Sequence, residues 1–314
     1  MLSARIFLST TRFISKSHNV FSRFPVKQIP RVKKAPQVEK PKNWESVGTN
    51  KLRPTSQLVR IAGFTVLTGV TTYTVAILAK NDQNELFLRE KFKNWGRTEL
   101  TWETATAVEK STFIFFAMNT AVFLAWRITP LVPFMTRYFT NSYASKSLYL
   151  PMILSAFSHR GIIHFGMNMY VASTFLQSTM QNLVDPNQFW AFYILSAVFS
   201  SFVSLSEKAV RRTPVRSLGA SGALMAVLCY LCMKFPDMKL QIIFMPGFQF
   251  SAEHAVYGMV AFDVICLLLG FQVFDHAAHL GGQLFGWFYA KHGQKLFWDD
   301  YSRVVNKARK SAGF

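Results

Sequence analysis

Two stretches decide how this chain is interpreted: residues 217–224 read SLGASGAL, and residues 275–286 read DHAAHLGGQLFG. Each opens an apolar segment and carries small residues at a spacing that lets membrane helices pack closely. Each also carries reactive side chains, Ser221 in the first stretch and His276 and His279 in the second. Because a polar side chain at membrane depth is costly, these residues indicate a function in addition to a packing surface.

Helix packing alone is the alternative interpretation of both stretches. The small residues are Gly219, Ala220, Gly222 and Ala223 in the first stretch, and Gly282 and Gly286 in the second. Faces of this kind are common where two membrane helices meet. Taken by itself, therefore, neither stretch separates an enzyme from a closely packed helix pair.

A third stretch, residues 155–168, reads SAFSHRGIIHFGMN and supplies more polar groups. Its His164 and Asn168 are four residues apart and so share one face of a helix. A serine hydroxyl is a poor nucleophile until a nearby histidine removes its proton, and the oxyanion that then forms needs hydrogen-bond donors. Ser221, His279, His164 and Asn168 together have the chemistry of one such site.

The rest of the chain is apolar enough to place this site in a membrane. Only 16% of residues are charged, and residues 240–290 contain no Lys or Arg. Stretches of about 20 apolar residues span a bilayer, and short or polar ones are tolerated where they line a cavity. The predicted spans are 60–79, 111–128, one within 148–180, 188–205, 218–233, 255–271 and 277–289. The first is isolated, and the other six form a compact set with a polar interior.

The net charge of +19 belongs largely to a leader. Residues 1–58 hold twelve Lys or Arg and two acidic residues, which gives +10 of that total. Residues 1–38 contain no acidic residue, and they mix basic residues and serines with apolar residues. This pattern is typical of a mitochondrial presequence, with a solvated basic tail or membrane-surface segment as the alternative. The charge therefore does not predict a nucleic-acid partner.

Loop charge predicts an orientation in the mitochondrial inner membrane. Loops on the inner side of a membrane carry an excess of Lys and Arg, and for the mitochondrial inner membrane that side is the matrix. One set of loops carries Arg137, Lys146, Lys208, Arg211, Arg212 and Arg216, whereas the opposite loops at 181–187 and 235–254 carry only Lys239. With seven spans, this distribution predicts an N-terminus in the matrix and a C-terminus in the intermembrane space.

The motifs resemble those of the rhomboid intramembrane serine proteases over about residues 111–290. The shared patterns are G-A-S-G-A around Ser221, A-H-x-x-G-x-x-x-G over residues 278–286, and H-x-x-x-N at His164 and Asn168. The extra first span, the FDHAAHLGG run, Trp126-Arg127 and the leader are similar to the mitochondrial subgroup. The resemblance implies an all-α membrane protein, in which a six-helix core follows one extra transmembrane helix.

That resemblance also implies a division of the chain and a role for each site residue. The expected segments are 1–58 (presequence and proline-containing linker), 59–110 (extra helix and polar loop), 111–290 (protease core) and 291–314 (basic tail). Ser221 corresponds to the nucleophile and His279 to the general base, in a dyad that uses no carboxylate. His164 and Asn168 correspond to the oxyanion donors, and Gly219, Gly222, Gly282 and Gly286 are expected to pack the helices around the site. His276 is the competing histidine and is expected to be structural or interfacial, His159 is expected to be a supporting residue, and Asp263 receives no role.

No metal or organic cofactor is expected, and other membrane proteases lack their motifs here. The chain contains neither H-E-x-x-H nor G-x-G-D, so it offers no zinc-protease or aspartyl-protease signature. Its three cysteines, Cys229, Cys232 and Cys266, lie in apolar runs and are expected to pack in the core. The expected partners are the lipid bilayer and single-span membrane proteins as substrates, with homo- or hetero-oligomers possible. The competing hypothesis is an inactive rhomboid-like scaffold, which would bind transmembrane clients without cleaving them.

Overall fold

The computed structural model of the chain describes residues 52–93, 102–103, 105–182, 184–241, 247–271 and 273–312. For residues 82–93 it describes the backbone alone. The predicted presequence lies in residues 1–51, outside the described residues, and therefore stays a prediction. Part of the predicted polar loop, residues 94–101, lies outside them as well.

The described part of the chain is almost entirely helical. Its helices are α1 Gln57–Lys93, α2 Ala107–Ala125, α3 Val132–Tyr138, α4 Tyr149–Leu154, α5 Ile162–Asn182, α6 Pro186–Val210, α7 Ser221–Lys234, α8 Ala252–Leu269, α9 His276–Phe288 and α10 Tyr301–Ser311. A π-helical segment, Tyr289–Asp300, joins α9 to α10, and 3-10 turns form at Thr129–Leu131 and Ser155–Phe157. Strands β1 Lys239–Gln241 and β2 Gln249–Ser251 form an antiparallel hairpin in which Leu240 pairs with Phe250.

Four of the described helices are long and apolar enough to cross a membrane. They are Gln57–Asn81 within α1, and α2, α6 and α8, while α7 is apolar but shorter. The prediction of an all-α membrane protein is confirmed. The count of one plus six spans stays a prediction, because α7 and α9 are shorter than a bilayer crossing requires.

Helix α6 lies at the centre of the bundle, with most of its residues buried between α1, α7 and α9. The prediction that the first span is isolated is wrong, because α1 packs along α6. Gly69 of α1 lies so close to α6 that a Cβ on it would be 3.3 Å from the Leu195 side chain. Tyr73 of α1 is buried against Tyr289 and Trp298.

The C-terminal segment is helical and docked against α1. The hydroxyls of Thr74 and Tyr301 lie 2.8 Å apart, and the Asn81 amide donates to the Asn306 side-chain oxygen at 2.6 Å. The sequence predicted only a basic tail over residues 291–314, and it did not predict the β hairpin. Helix α1 also continues to Lys93, well beyond the predicted end of the span at residue 79.

Helices α5, α7 and α9 all begin at the same end of the bundle, because each is separated from the next by one helix that runs the other way. Their first turns therefore meet. His164 lies in the first turn of α5, Ser221 begins α7, and His279 lies in the first turn of α9. The fold thus gathers at one end three of the side chains on which the sequence hypothesis depends.

Candidate active site

A glycine turn sets Ser221 at the start of α7. Gly219 has a φ of +135°, a backbone conformation that L residues rarely adopt, and a Cβ on it would lie 2.7 Å from the His164 ring. Only glycine fits both the conformation and the space. Ser221 follows as the first helical residue, so its backbone N–H is one of those that have no partner within the helix.

Ser221 and His279 are hydrogen-bonded to each other. The His279 Nε2 atom lies 2.8 Å from the Ser221 hydroxyl oxygen. The two helices reach this distance because glycines face carbonyl oxygens where α9 crosses α7. A Cβ on Gly282 would collide with the Gly222 carbonyl oxygen, and one on Gly286 with the Ala226 carbonyl oxygen.

His164 lines the same cavity as Ser221 and His279, whereas Asn168 lies one turn deeper. Asn168 is buried, and its amide donates to the His164 carbonyl oxygen at 2.8 Å. The structure therefore brings His164 to the candidate site directly. Asn168 lies behind it and supports the backbone that carries it.

His159 supports the turn before Ser221 from the loop that precedes α5. Its Nε2 atom accepts a hydrogen bond from the Ala220 backbone N–H at 3.2 Å, and its ring lies 5.1 Å from that of His164. The Trp126 indole holds the same loop, since it donates to the Ser158 hydroxyl at 2.9 Å. The sequence indicated only a supporting place for His159 and did not indicate its partner, which lies on a distant segment of the chain.

A cavity of about 580 Å³ opens beside the serine and the histidine. Its wall carries His164, Ser221 and His279, together with the apolar side chains of Leu267, Phe271 and Phe274. Lys208 and Arg211 also face it. The volume lies in the range of small-molecule and peptide side-chain sites, and the wall combines apolar surface with a few polar groups.

The sequence of this part of the chain is that of a known family. Residues 146–293 match the family described as Rhomboid domain, a range that contains Ser221 and His279. The chain is 43% identical over 197 residues to presenilin-associated rhomboid-like protein A, mitochondrial, of Danio rerio. It is 40% identical over 223 residues to presenilin-associated rhomboid-like protein, mitochondrial, of Homo sapiens. The chain belongs to the rhomboid family.

The matches to these rhomboid relatives are partial. They cover 63% of this chain and 51% of the Danio rerio protein, and 71% of this chain and 57% of the Homo sapiens protein. Rhomboid protein 1, mitochondrial, of Saccharomyces cerevisiae is 31% identical over 189 residues, 58% of this chain and 54% of that protein. The chain thus spans a little over half the length of the curated relatives it matches. Mitochondrial relatives and several apolar helices together indicate a multi-pass protein of a mitochondrial membrane.

The rhomboid core contains a buried carboxylate to which the sequence hypothesis gave no role. Asp263 of α8 is 2% exposed, and its Oδ1 atom lies 2.7 Å from His276 Nδ1 and 3.4 Å from His279 Nδ1. Gln283 donates to its Oδ2 atom at 2.6 Å. The sequence did contain a signal for this residue, because an aspartate in the middle of an apolar span usually has a function.

Asp263, His276 and His279 also have the chemistry of a metal-ligand set. Their ligand atoms all lie within 4.8 Å of one another, and two imidazoles with one carboxylate suit zinc. Each of the three is nevertheless hydrogen-bonded to a protein group, and the His279 atom opposite the carboxylate is directed at Ser221. The observed arrangement is therefore that of a hydrogen-bonded relay.

A buried ion pair ties together the segments that precede the two reactive residues. The Lys208 ammonium lies 2.9 Å from the Asp275 carboxylate and donates to the Ser217 hydroxyl at 2.6 Å. Asp275 also caps α9, since it accepts from the Ala278 backbone N–H at 3.0 Å. Burial raises the pKa of the Asp275 carboxyl, but Lys208 and hydrogen bonds from Ser204 and Ser217 outweigh burial and hold that pKa well below its usual value.

Cysteine chemistry contributes nothing to this site. Cys229, Cys232 and Cys266 are free thiols, and all three are buried. Cys229 and Cys232 pack against Val256 of α8 in a small apolar cluster. Their C-x-x-C spacing therefore reflects core packing, as the sequence predicts.

Proposed function

We propose that this rhomboid chain is an intramembrane serine protease of the mitochondrial inner membrane. It hydrolyses peptide bonds in or next to the transmembrane segments of single-span membrane proteins. One observation carries the proposal: the Ser221 hydroxyl lies 2.8 Å from His279 Nε2 at the edge of a cavity, on two apolar helices. A nucleophile and a base within hydrogen-bond reach of each other form the minimal machinery of acyl transfer.

The reaction proceeds in two halves. In the first, Ser221 Oγ attacks the carbonyl carbon of the substrate while His279 Nε2 takes the hydroxyl proton. The carbon–nitrogen bond then breaks, and His279 returns the proton to the leaving amine, which leaves an acyl-enzyme on Ser221. In the second half, water attacks the acyl carbon, His279 takes a proton from this water, and Ser221 departs with that proton as the free hydroxyl.

The oxyanion of each tetrahedral intermediate needs donors beside Ser221. The backbone N–H of Ser221 is available because it begins a helix, and the helix dipole favours negative charge there. The His164 ring lies against Gly219 and lines the same cavity, so we assign it the second donor. Asn168 then acts indirectly, through the hydrogen bond from its amide to the His164 carbonyl oxygen.

The substrate peptide must be partly unwound before it reaches this site. In a helix the scissile carbonyl is hydrogen-bonded and covered by side chains, and in lipid those hydrogen bonds have no water to replace them. The polar cavity beside Ser221 supplies such a replacement, with Lys208 and Arg211 at its wall. Segments rich in small or helix-breaking residues are therefore the expected substrates.

A serine-directed probe tests the proposal. Purified full chain in detergent or liposomes is treated with a fluorophosphonate and, separately, with a single-span reporter protein. We expect labelling at Ser221 and cleavage of the reporter, and neither with Ser221→Ala. The matched control is Ser173→Ala, which removes an exposed hydroxyl on α5 and should behave as the parent does.

The same experiment separates a protease from the competing scaffold. A scaffold binds the reporter, fails to react with the probe, and gives identical results for parent and Ser221→Ala. Cleavage that persists in Ser221→Ala would overturn the assignment of the nucleophile.

A further inference from the structure

Asp263 faces three side chains of α9: it is hydrogen-bonded to His276 and Gln283, and it lies within ion-pair distance of His279. His276, His279 and Gln283 all place a nitrogen toward its two oxygens, at 2.7, 3.4 and 2.6 Å. Helix α8 supplies the carboxylate and α9 supplies the partners, so the contact depends on how these two helices pack. A buried carboxylate is stable only when such donors satisfy it.

The carboxylate determines where the protons of both histidine rings lie. An ionised carboxylate only accepts hydrogen bonds, so the nitrogen that faces it carries the hydrogen. In both histidines that nitrogen is Nδ1. The Nε2 atom of a neutral His279 is then unprotonated, and this is the atom that lies 2.8 Å from the Ser221 hydroxyl.

We infer that Asp263 is the positioning residue of His279, so that serine, histidine and carboxylate form one chain across α7, α9 and α8. His276 and Gln283 anchor the carboxylate, and the oxygen that His276 binds is shared with His279. When Ser221 transfers its proton, the new imidazolium is stabilised by the adjacent negative charge. This inference rests on the proposed protease function, and it departs from the two-residue dyad that the family resemblance implies.

Asp263→Asn tests the inference, because it removes the negative charge beside His279 and leaves a neutral amide in its place. When the asparagine carbonyl oxygen accepts from the Gln283 N–H, as Asp263 does in the parent, its NH₂ group faces both histidines. His279 must then accept at Nδ1 and carry its proton on Nε2, which is the wrong form for a base. We expect kcat for the reporter to fall roughly 10- to 10³-fold with KM unchanged. This is less than the loss of about 10⁴ for the same change in serine proteases whose aspartate is hydrogen-bonded to the histidine.

Exchanging the two side-chain types should restore the correct form. In Asp263→Asn with Gln283→Glu, the new carboxylate accepts the asparagine NH₂, and the asparagine carbonyl turns toward His276 and His279. His279 Nδ1 can again donate, so we expect kcat at least tenfold above that of Asp263→Asn. A merely structural role for Asp263 predicts the opposite, since a second buried change adds to the damage.

The matched control is Glu253→Gln, which removes an exposed carboxylate from the first turn of the same helix. Its kcat should equal that of the parent, and thermal unfolding of every variant establishes that it folds. A folded Asp263→Asn with parental kcat would overturn the inference, and so would a folded double variant no faster than the single one. If the parent itself neither reacts with the fluorophosphonate nor cleaves the reporter, the proposed function fails, and the inference fails with it.

Discussion

At the scale of single residues, the two histidines at the start of α9 have distinct places. His279 directs Nε2 at Ser221, whereas His276 lies 2.7 Å from Asp263 and is 3% exposed. Only one of them is therefore in position to take the serine proton. His276 acts on the reaction through the carboxylate it anchors.

Alanine substitutions should separate these two roles. We expect His279→Ala to abolish cleavage of a single-span reporter and fluorophosphonate labelling, because the His279 ring is the hydrogen-bonded partner of the Ser221 hydroxyl. His276→Ala should keep at least tenfold more activity than His279→Ala, because the Gln283 hydrogen bond still holds Asp263. Labelling rate and kcat are measured on the same preparations. If His276→Ala and His279→Ala both fold and are equally inactive, this division of roles is contradicted. If His279→Ala is active and His276→Ala is not, the base is His276.

The sequence predicts the residues that touch the reacting atoms better than those that hold them. Ser221 and His279 stand out because each lies in a short glycine-containing motif on an apolar run. Asp263 received no role and His159 only a supporting one, because their partners come from other segments and a hydrogen bond between segments leaves no local pattern. Asn168 shares a helix face with His164 as expected, yet the depth of α5 in the bundle places it behind the cavity.

At the scale of helices, the distance between Ser221 and His279 is set by the crossing of α7 and α9. Gly286 lies about two turns beyond His279 and contacts the Ala226 backbone, so it acts on the site only through helix spacing. There is no room between the two helices for a side chain at position 286. The two helices would have to separate, and the 2.8 Å hydrogen bond would lengthen.

Gly286→Ala therefore tests whether helix spacing sets activity. We expect a loss of about 1–3 kcal/mol in unfolding free energy, the usual effect of overpacking, together with a lower kcat. The matched control is Gly258→Ala on α8, where a Cβ meets nothing within 4 Å. That change should be neutral or stabilising by up to about 1 kcal/mol, because alanine favours a helix. Thermal unfolding and reporter cleavage measure both effects, and a fully active Gly286→Ala would contradict the spacing argument.

The Lys208–Asp275 pair makes the segments before α7 and α9 sensitive to acid. The pKa of the Asp275 carboxyl is held well below its usual value in the folded protein. Its contribution to stability is therefore complete above its unfolded pKa of about 3.9, and it is lost as pH falls through the folded value. Below about pH 4 this contribution declines, because the carboxyl of the unfolded chain takes up a proton while that of the folded chain stays ionised. The Lys208 ammonium loses its counter-charge only when the pH reaches the much lower folded pKa.

Asp275→Asn should remove this acid-sensitive component. At pH 7 we expect a loss of roughly 3–5 kcal/mol, because the change leaves the Lys208 ammonium buried without its anion. As the pH falls from about 4 toward the folded pKa, the melting temperatures of variant and parent should draw together, since only the parent loses the contribution of this carboxylate. Asp237→Asn, at an exposed aspartate, is the control and should follow the parent at every pH. A constant difference between parent and Asp275→Asn down to pH 2 would contradict the argument.

The sequence predicts helices by their apolar length, but it does not predict how they pack. The spans within α2, α6 and α8 were expected, because their runs are long and uncharged. The contact of α1 with α6 was not expected, because hydropathy shows that a segment is apolar but not which helix packs against it. Helix α10 is basic and polar, so its docking through Tyr301 and Asn306 gave no apolar signal. The hairpin is too short for alternation of apolar and polar residues to reveal it.

At the scale of the whole molecule, the candidate site opens at the end of the bundle that carries the basic loops. Arg53, just before α1, donates to the Ser145 and Lys146 carbonyl oxygens at 2.8 and 2.7 Å. The Asn141 backbone N–H donates to the Ser217 carbonyl oxygen at 2.7 Å. The start of α1, the loop before α4 and the approach to Ser221 therefore lie on one face. The hairpin that follows α7 lies at the other end, since α7 runs away from the site.

Surface labelling should decide which compartment this face meets. Because loops rich in Lys and Arg stay on the inner side of a membrane, we expect the face of Ser221 in the matrix and the hairpin in the intermembrane space. Single cysteines replace Lys146 on the first face and Gln249 on the hairpin, both exposed, and the native thiols are buried and react slowly. In mitochondria without an outer membrane, an impermeant maleimide should label Gln249→Cys at once, and Lys146→Cys only after detergent. The reverse pattern would invert the orientation and place proteolysis in the intermembrane space. Labelling of both at once would mean that the two faces are not on opposite sides of an intact membrane.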